Sequence, residues 1–442
     1  MHIVIIGNGI AGNAVASSIR KHDRLCKVTI ISEETCQSYD PGSLPYYVSN
    51  DVPRQAVFLR DGEDYAANNI NLLLGHKVAN IDTGNKKLSL ENHDEIDYDK
   101  LVIATGGKLF IPRIEGIDKV GVLGCKTLPE ADQLASHNGK NAVVIGSGLI
   151  GIEASEALSK KGYEVYLVEL LAWIMPKVFD EKPARLMAEG LIAKGIHVLT
   201  NEKVLSIIGD THVRGVITDQ RELVCDTVVL ATGVLPANEL AVRAGITIGM
   251  TRGIKVNDHM MTTVPDVYAC GDCVESKDAF SGESTLSLLR HNAIEQASVI
   301  AQSCMGIQRN YRGSWNFTRA HYFNTHGISI GKTLSTFHDP ENAEVIEGFY
   351  GPDYYRLIMY QGKLVGAQLI GDRLTKQAGL LLGALWRQDD LGDLRANWKT
   401  IHEFNSPYPW QYRILGRYMN LGEEVSLIWI ISIRLLALDQ QV

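Results

Sequence analysis

A glycine-rich turn between an apolar strand and a helical pattern occurs twice in this sequence, and the repeat constrains the fold more than any other feature. The first copy follows the apolar run at residues 3–6. In a Gly-x-Gly-x-x-Gly turn, Gly7 permits the tight bend, Gly9 lets a pyrophosphate approach the backbone, and Gly12 lets the helix pack close to the strand. The pattern predicts a dinucleotide site near the start of the chain.

The second copy has the same order of strand, turn and helix. A strand at Asn141–Ile145 leads into a turn that carries Gly146, Gly148 and Gly151 at the same spacing. A glycine-rich turn can also be a plain connection between a strand and a helix. The repeated context argues against that alternative and favours two nucleotide sites on an α/β fold.

A carboxylate ends the next strand of each copy. Glu33 follows the strand Lys27–Ser32, and Glu169 follows the strand Glu164–Val168. A carboxylate at this spacing accepts hydrogen bonds from a ribose. Glu169 would bond a free 2′-hydroxyl and repel a 2′-phosphate, so the second site is expected to prefer NAD(H) over NADP(H).

Length and charge set further limits. A chain of 442 residues exceeds what one hydrophobic core organises, so two or three domains are expected. The net charge of −8 argues against a nucleic-acid partner, which would need a basic face. The first residues lack the pattern of a signal peptide, which predicts a cytoplasmic protein.

Two other sequence features leave alternatives open. The apolar segment 426–438 is too short for a bilayer span and contains Arg434, so we expect a buried strand or a subunit contact, with a membrane-surface or partner role as the alternative. No transmembrane segment is expected. Seven cysteines, scattered and odd in number, are expected to be reduced thiols.

Four further segments carry a family resemblance: 38–47, 98–107, 228–238 and 267–273. With the two glycine motifs they resemble the pyridine-nucleotide-disulfide oxidoreductase superfamily over about residues 1–390. Members of that superfamily carry FAD on the first motif and a nicotinamide on the second. The resemblance implies that FAD and NAD(H) are the cofactors, and no metal is expected.

The resemblance also implies two sets of binding residues. The expected FAD residues are Gly7, Gly9, Ile10, Ala11, Gly12, Glu33, Ser43, Val78, Ala104, Thr105, Gly106, Gly271, Asp272 and Leu289. The expected NAD residues are Gly146, Gly148, Leu149, Ile150, Gly151, Glu169 and Gly233. Gly271 and Asp272 resemble the second FAD signature, in which the aspartate bonds the ribityl chain.

The implied architecture is α/β, with two Rossmann-like dinucleotide-binding domains and a C-terminal α+β dimerisation domain. FAD would be held by residues 1–110 and 240–317, and NAD by residues 111–239. Residues 318–442 would form the C-terminal domain. Because that domain makes the dimer in similar proteins, a homodimer is expected.

Within the superfamily, the sequence is similar to the FAD half of NADH-dependent nitrite reductase and to the rubredoxin and ferredoxin reductases. Residues 44–47, Leu-Pro-Tyr-Tyr, resemble coenzyme A disulfide reductase instead. Disulfide reductases keep a redox cysteine just before this segment, where this chain has Gly42 and Ser43. The flavin is therefore expected to work without a cysteine partner. The pair Cys270 and Cys273 is expected to be packed rather than redox-active, with a redox pair as the alternative.

Three side chains are candidates for the environment of the reacting rings. Glu153 resembles a glutamate that positions the nicotinamide in electron-transfer reductases, and a surface role is the alternative. The lysine that pairs with it in those relatives is absent, and Tyr46 and Tyr47 stand in that region. A helical pattern over residues 283–301 is expected to direct its N-terminus at the flavin.

The sequence thus predicts an FAD-dependent NADH oxidoreductase in which the cofactors carry the chemistry. The expected acceptor is a redox protein such as rubredoxin, ferredoxin or another iron-sulfur protein. One alternative is an NADH oxidase or disulfide reductase that acts on a small molecule without the usual cysteine. Another is a flavoprotein that senses NADH and signals by a conformational change.

Overall fold

A computed structural model describes residues 1–387, so the apolar segment 426–438 lies outside the described residues. The helices of the described part are α1 (Ile10–His22), α2 (Leu44–Val48), α3 (Gly62–Ala67), α4 (Leu128–Ser136), α5 (Leu149–Lys160), α6 (Glu181–Ile192), α7 (Glu239–Arg243), α8 (Arg290–Cys304), α9 (Asp372–Thr375) and α10 (Ala378–Arg387). No helix in this part is long and apolar enough to cross a bilayer.

The strands of the same part, in chain order, are β1 (His2–Ile6), β2 (Lys27–Ser32), β3 (Ile70–Leu74), β4 (Val78–Asp82), β5 (Lys87–Leu90), β6 (Glu95–Asp97), β7 (Lys100–Ile103), β8 (Gly107–Leu109), β9 (Val122–Leu123), β10 (Asn141–Ile145), β11 (Glu164–Val168), β12 (His197–Leu199), β13 (Val204–Ile208), β14 (Gly215–Thr218), β15 (Glu222–Val224), β16 (Thr227–Leu230), β17 (Val234–Pro236), β18 (Ile254–Lys255), β19 (Val267–Ala269), β20 (Val274–Lys277), β21 (Ser284–Leu286), β22 (Phe317–Tyr322), β23 (Thr325–Gly331), β24 (Glu344–Tyr350), β25 (Asp353–Tyr360) and β26 (Lys363–Ile370).

The first glycine motif lies at the edge of a parallel sheet, here called the first sheet, with the strand order β19-β7-β1-β2-β3. Its central strand is apolar and almost wholly buried because both faces of the sheet are covered. Helix α1 follows β1 directly and packs against α8. The parallel arrangement sets the carboxyl ends of the strands, and with them the glycine turn, at one edge of the sheet.

The second motif repeats this construction in a second parallel sheet, with the order β12-β11-β10-β16-β9. The hydrogen bonds at the two turns match: Gly7 N–H donates to the Ile31 carbonyl at 2.8 Å, and Gly146 N–H donates to the Val168 carbonyl at 2.8 Å. Two Rossmann-like sheets are thus present, which confirms the predicted α/β fold class.

The first and third glycines of each motif are required by internal packing. Gly7 and Gly146 have φ values of +115° and +99°, a conformation that residues with a side chain rarely adopt. A Cβ on Gly12 would lie 2.0 Å from the Gly7 carbonyl oxygen, and a Cβ on Gly151 would lie 2.0 Å from the Gly146 oxygen. Each helix therefore contacts its own turn more closely than any side chain permits.

The chain passes between the two sheets at a short antiparallel pair, β8 with β17. Thr105 Oγ1 donates to the Ala237 carbonyl at 2.6 Å, and Ala237 N–H donates back to the Gly106 carbonyl at 3.0 Å. A Cβ on Gly107 would lie 2.3 Å from Val234 Cγ1. The segments 105–109 and 234–237 are thereby held side by side where the chain leaves one sheet and returns from the other.

The chain folds into two compact units. The first contains Met1–Ile174 and Leu191–Asn316, and therefore both parallel sheets. The second contains Met175–Gly190 and residues 317–387, built on an antiparallel sheet with the order β22-β23-β26-β25-β24. Which segments form the FAD, NAD and dimerisation domains stays a prediction.

One predicted element is wrong at its start. The helical pattern over residues 283–301 begins as a strand, since Ser284–Leu286 pairs with β20, and α8 starts only at Arg290. Three-residue strands carry too little periodicity to be distinguished from a helical turn, and their pairing depends on a partner elsewhere in the chain.

We predict that Gly12→Ala lowers the free energy of unfolding by about 1–3 kcal/mol, because the added methyl group forces the backbone of the Gly7 turn to move. Gly9→Ala is the matched control: Gly9 has φ −76°, a Cβ there meets no protein atom within 4 Å, and the expected change is within about 1 kcal/mol. Chemical denaturation of protein freed of small molecules measures both. Equal losses in the two variants would contradict the packing argument.

Candidate functional site

The middle glycine of each motif is not required by the protein itself. Gly9 and Gly148 have φ values of −76° and −66°, which any residue adopts, and a Cβ on either would meet nothing within 4 Å. Both glycines are exposed at the N-terminus of a helix, where backbone N–H groups attract anions. The open space at these two positions fits the pyrophosphates of two dinucleotides.

The two strand-terminal carboxylates have different surroundings. Glu169 is 8% exposed: one carboxylate oxygen accepts from Ser147 N–H at 2.9 Å and from the Ser147 hydroxyl, and the other accepts from Leu171 N–H at 2.9 Å. Glu33 is exposed after β2. Glu169 is therefore fixed against the second glycine turn, and Ser147, which the sequence analysis did not single out, orients it.

The second predicted FAD signature meets the first motif directly. Gly271 has φ +79°, its N–H donates to Gln296 Oε1 at 2.8 Å, and a Cβ there would lie 2.9 Å from the Cβ of Ala11. Asp272 is partly buried, and its carboxylate has no hydrogen-bond partner among residues 1–387. Burial raises the pKa of Asp272, which the charge of Lys126 opposes. The Asp272 carboxylate is therefore available to accept a hydrogen bond from a ribityl hydroxyl of FAD.

Glu153 lies on α5, one turn after the second glycine motif, at the wall of a small pocket between α2 and α5. Tyr46, 38% exposed, lies on the same pocket. The pocket is lined by Pro45, Tyr46, Ser49, Asp51, Glu153, Glu156, Ala157 and Lys160. The structure thus brings two of the three predicted catalytic candidates together.

The charge state of Glu153 is unusual. Burial is the main cause that raises the pKa of Glu153 to about 8, and the negative charges of Glu156 and Asp40 act in the same direction. Lys160, the lysine that lines this pocket, pairs with Asp51 at 2.8 Å and with Glu156 at 3.2 Å rather than with Glu153. At neutral pH Glu153 is therefore mostly a neutral carboxylic acid that can donate a hydrogen bond.

Tyr47 has a different environment from Tyr46. Its hydroxyl donates to Asp132 Oδ1 at 2.9 Å, and Arg54 bonds both oxygens of the same carboxylate, at 2.8 and 2.9 Å. The Tyr47 bond fastens α2 to α4, and Arg54, which follows α2 in the chain, holds the same Asp132 carboxylate. Tyr47 therefore positions α2, the helix that also carries Tyr46.

The remaining predicted residues lie at strand ends, at helix starts or in the core. Ala104 follows β7, and its N–H donates to the Ile6 carbonyl at 2.8 Å. Ser43 ends the turn Pro41–Ser43 and caps α2, and Leu289 caps α8. Val78 is 6% exposed in β4, where it packs in the core. Ile10 begins α1, while Leu149 and Ile150 begin α5; Gly233, with φ +112°, has open space around it.

All seven cysteines lie within the described residues and are free thiols. Cys270 and Cys273 are fully buried; burial raises the pKa of Cys273 to about 11 and that of Cys270 well above its usual range. Cys125 is buried near Glu153, and burial raises its pKa to about 12. Cys36 contacts Glu34, and its pKa is raised to about 11, first by burial. At neutral pH all four side chains are therefore protonated thiols rather than reactive thiolates.

Comparison with known proteins gives the family. The family model described as pyridine nucleotide-disulphide oxidoreductase matches residues 1–300. The chain therefore belongs to this family, as the sequence predicts, and it is an oxidoreductase whose cofactors are FAD and a pyridine nucleotide.

Three curated relatives are similar over much of the chain. An NADH oxidase of Methanocaldococcus jannaschii is 34% identical over 321 residues, 70% of this chain and 71% of that protein. A nitrite reductase of Bacillus subtilis is 30% identical over 398 residues, 88% of this chain but 48% of that protein, so the chain spans about half of its length. A rubredoxin-NAD(+) reductase of Pseudomonas putida is 30% identical over 311 residues, 69% of this chain and 80% of that protein.

A solved structure has the same fold. The NAD-dependent persulfide reductase from A. fulgidus superposes with a TM-score of 0.83 at 29% identity, covering 89% of this chain and 78% of that one.

We predict that Gly9→Val folds but loses FAD. Valine suits the extended backbone at this position, and a Cβ there meets no protein atom within 4 Å, so the clash is expected with a bound pyrophosphate. Absorbance of the purified protein measures the FAD content. Gly148→Val is the matched control, expected to keep FAD and lose NADH binding. Stoichiometric FAD in Gly9→Val would show that the first motif is not the flavin site.

The protonation of Glu153 should appear in the stability of the protein. An unfolded chain has the ordinary glutamate pKa of 4.5, so between about pH 4.5 and 8 the unfolded state holds fewer protons than the folded state. The contribution of Glu153 to stability is therefore present at low pH and lost as pH rises through this window. We expect wild type to lose stability relative to Glu153→Gln from pH 5 to pH 8 in denaturation experiments. A constant difference would mean that Glu153 is already ionised.

Proposed function

We propose that this chain is an NADH:acceptor oxidoreductase that holds FAD at the first glycine motif and NADH at the second, and reduces a redox protein. The open positions at Gly9 and Gly148 support the assignment of two dinucleotides. The contact of Gly271 with Ala11 and the unpartnered Asp272 carboxylate support FAD at the first motif.

The observation that carries this proposal is the absence of a reactive thiol beside the candidate site, in the part of the chain that the structure describes. Gly42 and Ser43 precede α2, where disulfide-reducing relatives keep a cysteine. Cys125, the thiol near Glu153, is buried with a pKa of about 12. Without a thiolate to take electrons from the flavin, residues 1–387 offer no second redox centre, which favours a direct acceptor over a disulfide.

The protein supplies alignment and electrostatics. When bound, NADH supplies a hydride and FAD takes it and passes electrons on. Glu169 would bond the adenosine ribose of NADH, held in place by Ser147. Glu153, neutral at pH 7, would donate a hydrogen bond near the nicotinamide without placing a charge beside it. The N-terminus of α8 would stabilise negative charge on the flavin ring.

The acceptor is proposed from the relatives. A rubredoxin-NAD(+) reductase is 30% identical to the chain over 311 residues, and rubredoxin is a small redox protein. We also propose that the protein works as a homodimer in the cytoplasm, where seven free cysteines stay reduced.

A second candidate is reduction of a small sulfur compound or of oxygen. The fold match to a persulfide reductase and the identity to an NADH oxidase favour it. The Leu44–Val48 helix, with its Leu-Pro-Tyr-Tyr sequence, lies on the pocket beside Glu153 where such a compound could enter.

The two candidates are separated by NADH consumption in air, with and without rubredoxin, a [2Fe–2S] ferredoxin or coenzyme A disulfide. We expect slow consumption in air and a several-fold increase with one of the iron proteins. Fast consumption in air, or stimulation by the disulfide and by neither iron protein, would establish the small-molecule alternative instead.

The nucleotide preference gives a further prediction. Wild type should use NADH better than NADPH, and Glu169→Ala combined with Leu170→Arg should shift the kcat/KM ratio toward NADPH by about tenfold or more, since one charge-assisted contact contributes about 1.5–3 kcal/mol. Leu170 is 61% exposed, so arginine is tolerated there. Leu170→Arg alone is the control, because it keeps the carboxylate. A wild type that prefers NADPH would overturn the role of Glu169.

A further inference from the structure

An ion pair joins the two segments that border the proposed flavin ring. Arg290 Nη1 bonds Asp40 Oδ2 at 2.8 Å, across 250 residues of sequence. Arg290 is the first residue of α8, and Asp40 immediately precedes the turn Pro41–Ser43, where the redox cysteine of disulfide-reducing relatives would stand. The pair therefore spans the space between the helix terminus and the cysteine-free turn.

The start of α8 is held in place without Arg290. The Asn292 amide donates to the Trp315 carbonyl at 2.9 Å and to Ser287 Oγ at 2.6 Å, and Trp315 N–H donates back to Asn292 Oδ1. The His291 ring lies 4.3 Å from the Trp315 ring. The Arg290 side chain, 42% exposed, is thus not needed to anchor the helix.

Asp40 acts on the turn before α2 and, through its charge, on α5. Its other oxygen, Oδ1, accepts from Gly42 N–H at 3.1 Å, which shapes the turn. Its charge also reaches Glu153 on α5, whose protonated form it favours. One turn after Arg290, Ala293 lies beside Gly271, where the two FAD segments meet. The Asp40–Arg290 pair therefore links the start of α8, which packs beside Gly271, with the turn before α2 and with the charge environment of Glu153.

We propose that Asp40 and Arg290 are positioning residues that set the reduction potential of the bound flavin, with Asp40 holding and offsetting the positive charge that Arg290 adds at the α8 N-terminus. This inference rests on the proposed function, which places FAD at the first motif. A reduced flavin ring carries negative charge that a nearby cation stabilises. In disulfide-reducing relatives a thiolate lies beside the flavin at the turn Pro41–Ser43. This chain has no thiolate there, so the Asp40–Arg290 pair would supply the charge that shifts the flavin potential.

The two partners should then act in opposite directions. Arg290→Gln leaves Asp40 unpaired and should lower the ratio of reduced to oxidised FAD at a fixed NADH/NAD⁺ ratio by about tenfold, which is about 30 mV for a two-electron couple. Asp40→Asn leaves Arg290 unpaired, keeps an oxygen for Gly42 N–H, and should raise the ratio by a similar factor. The double variant and Arg290→Lys should lie near wild type.

Anaerobic spectroelectrochemistry of the FAD-containing protein measures these potentials. Lys86→Gln is the matched control, since Lys86 pairs with Asp266 at 2.6 Å at the opposite edge of the first sheet, and it should leave the potential unchanged. Shifts of the same sign in Asp40→Asn and Arg290→Gln, or no shift in either, would overturn the inference. A wild type without FAD would instead defeat the proposed function itself.

Discussion

The close contact between each helix and its own glycine turn is the constraint on which the two nucleotide sites depend. Gly12 and Gly151 each bring α1 or α5 so near the preceding turn that a Cβ would lie 2.0 Å from a carbonyl oxygen. This approach directs the helix N-terminus at the edge of the sheet, beside the open positions of Gly9 and Gly148. The first and third glycines let the helix pack against its own turn. The middle glycine leaves the space at the helix N-terminus free of protein atoms, which is the space proposed for each pyrophosphate.

On this scaffold, the chain differs from disulfide-reducing relatives by what surrounds the reacting rings. Gly42 and Ser43 stand where a redox thiol would be, and Glu153, proposed to lie beside the nicotinamide, has no lysine partner among the described residues and is mostly neutral at pH 7. Asp40 and Arg290 lie beside this region and are paired with each other, while Asp51, Glu156 and Lys160 line the pocket with Glu153. Of these charged groups, the Asp40–Arg290 pair is the one proposed to set the flavin potential.

Much of the fold could be predicted from the sequence because its strands are short apolar runs that glycine turns punctuate. The bounds of β2, β10 and β11 agree with the prediction for this reason. The side-chain pairs of the site could not be predicted, since Tyr47 meets Asp132 across 85 residues and Asp40 meets Arg290 across 250. Sequence patterns report local periodicity, whereas these contacts exist only once the sheets and helices are assembled. The raised pKa of Glu153 depends on the same assembly.

Anaerobic titration with NADH tests whether the flavin is the sole redox centre of the protein. We expect uptake of one equivalent per FAD, without the long-wavelength absorbance of a thiolate in contact with flavin. Replacing Cys270 and Cys273 by serine should leave this stoichiometry unchanged, because both thiols are buried and protonated. Uptake of two equivalents, falling to one in the Cys270→Ser/Cys273→Ser variant, would contradict the account and identify that pair as a second electron store.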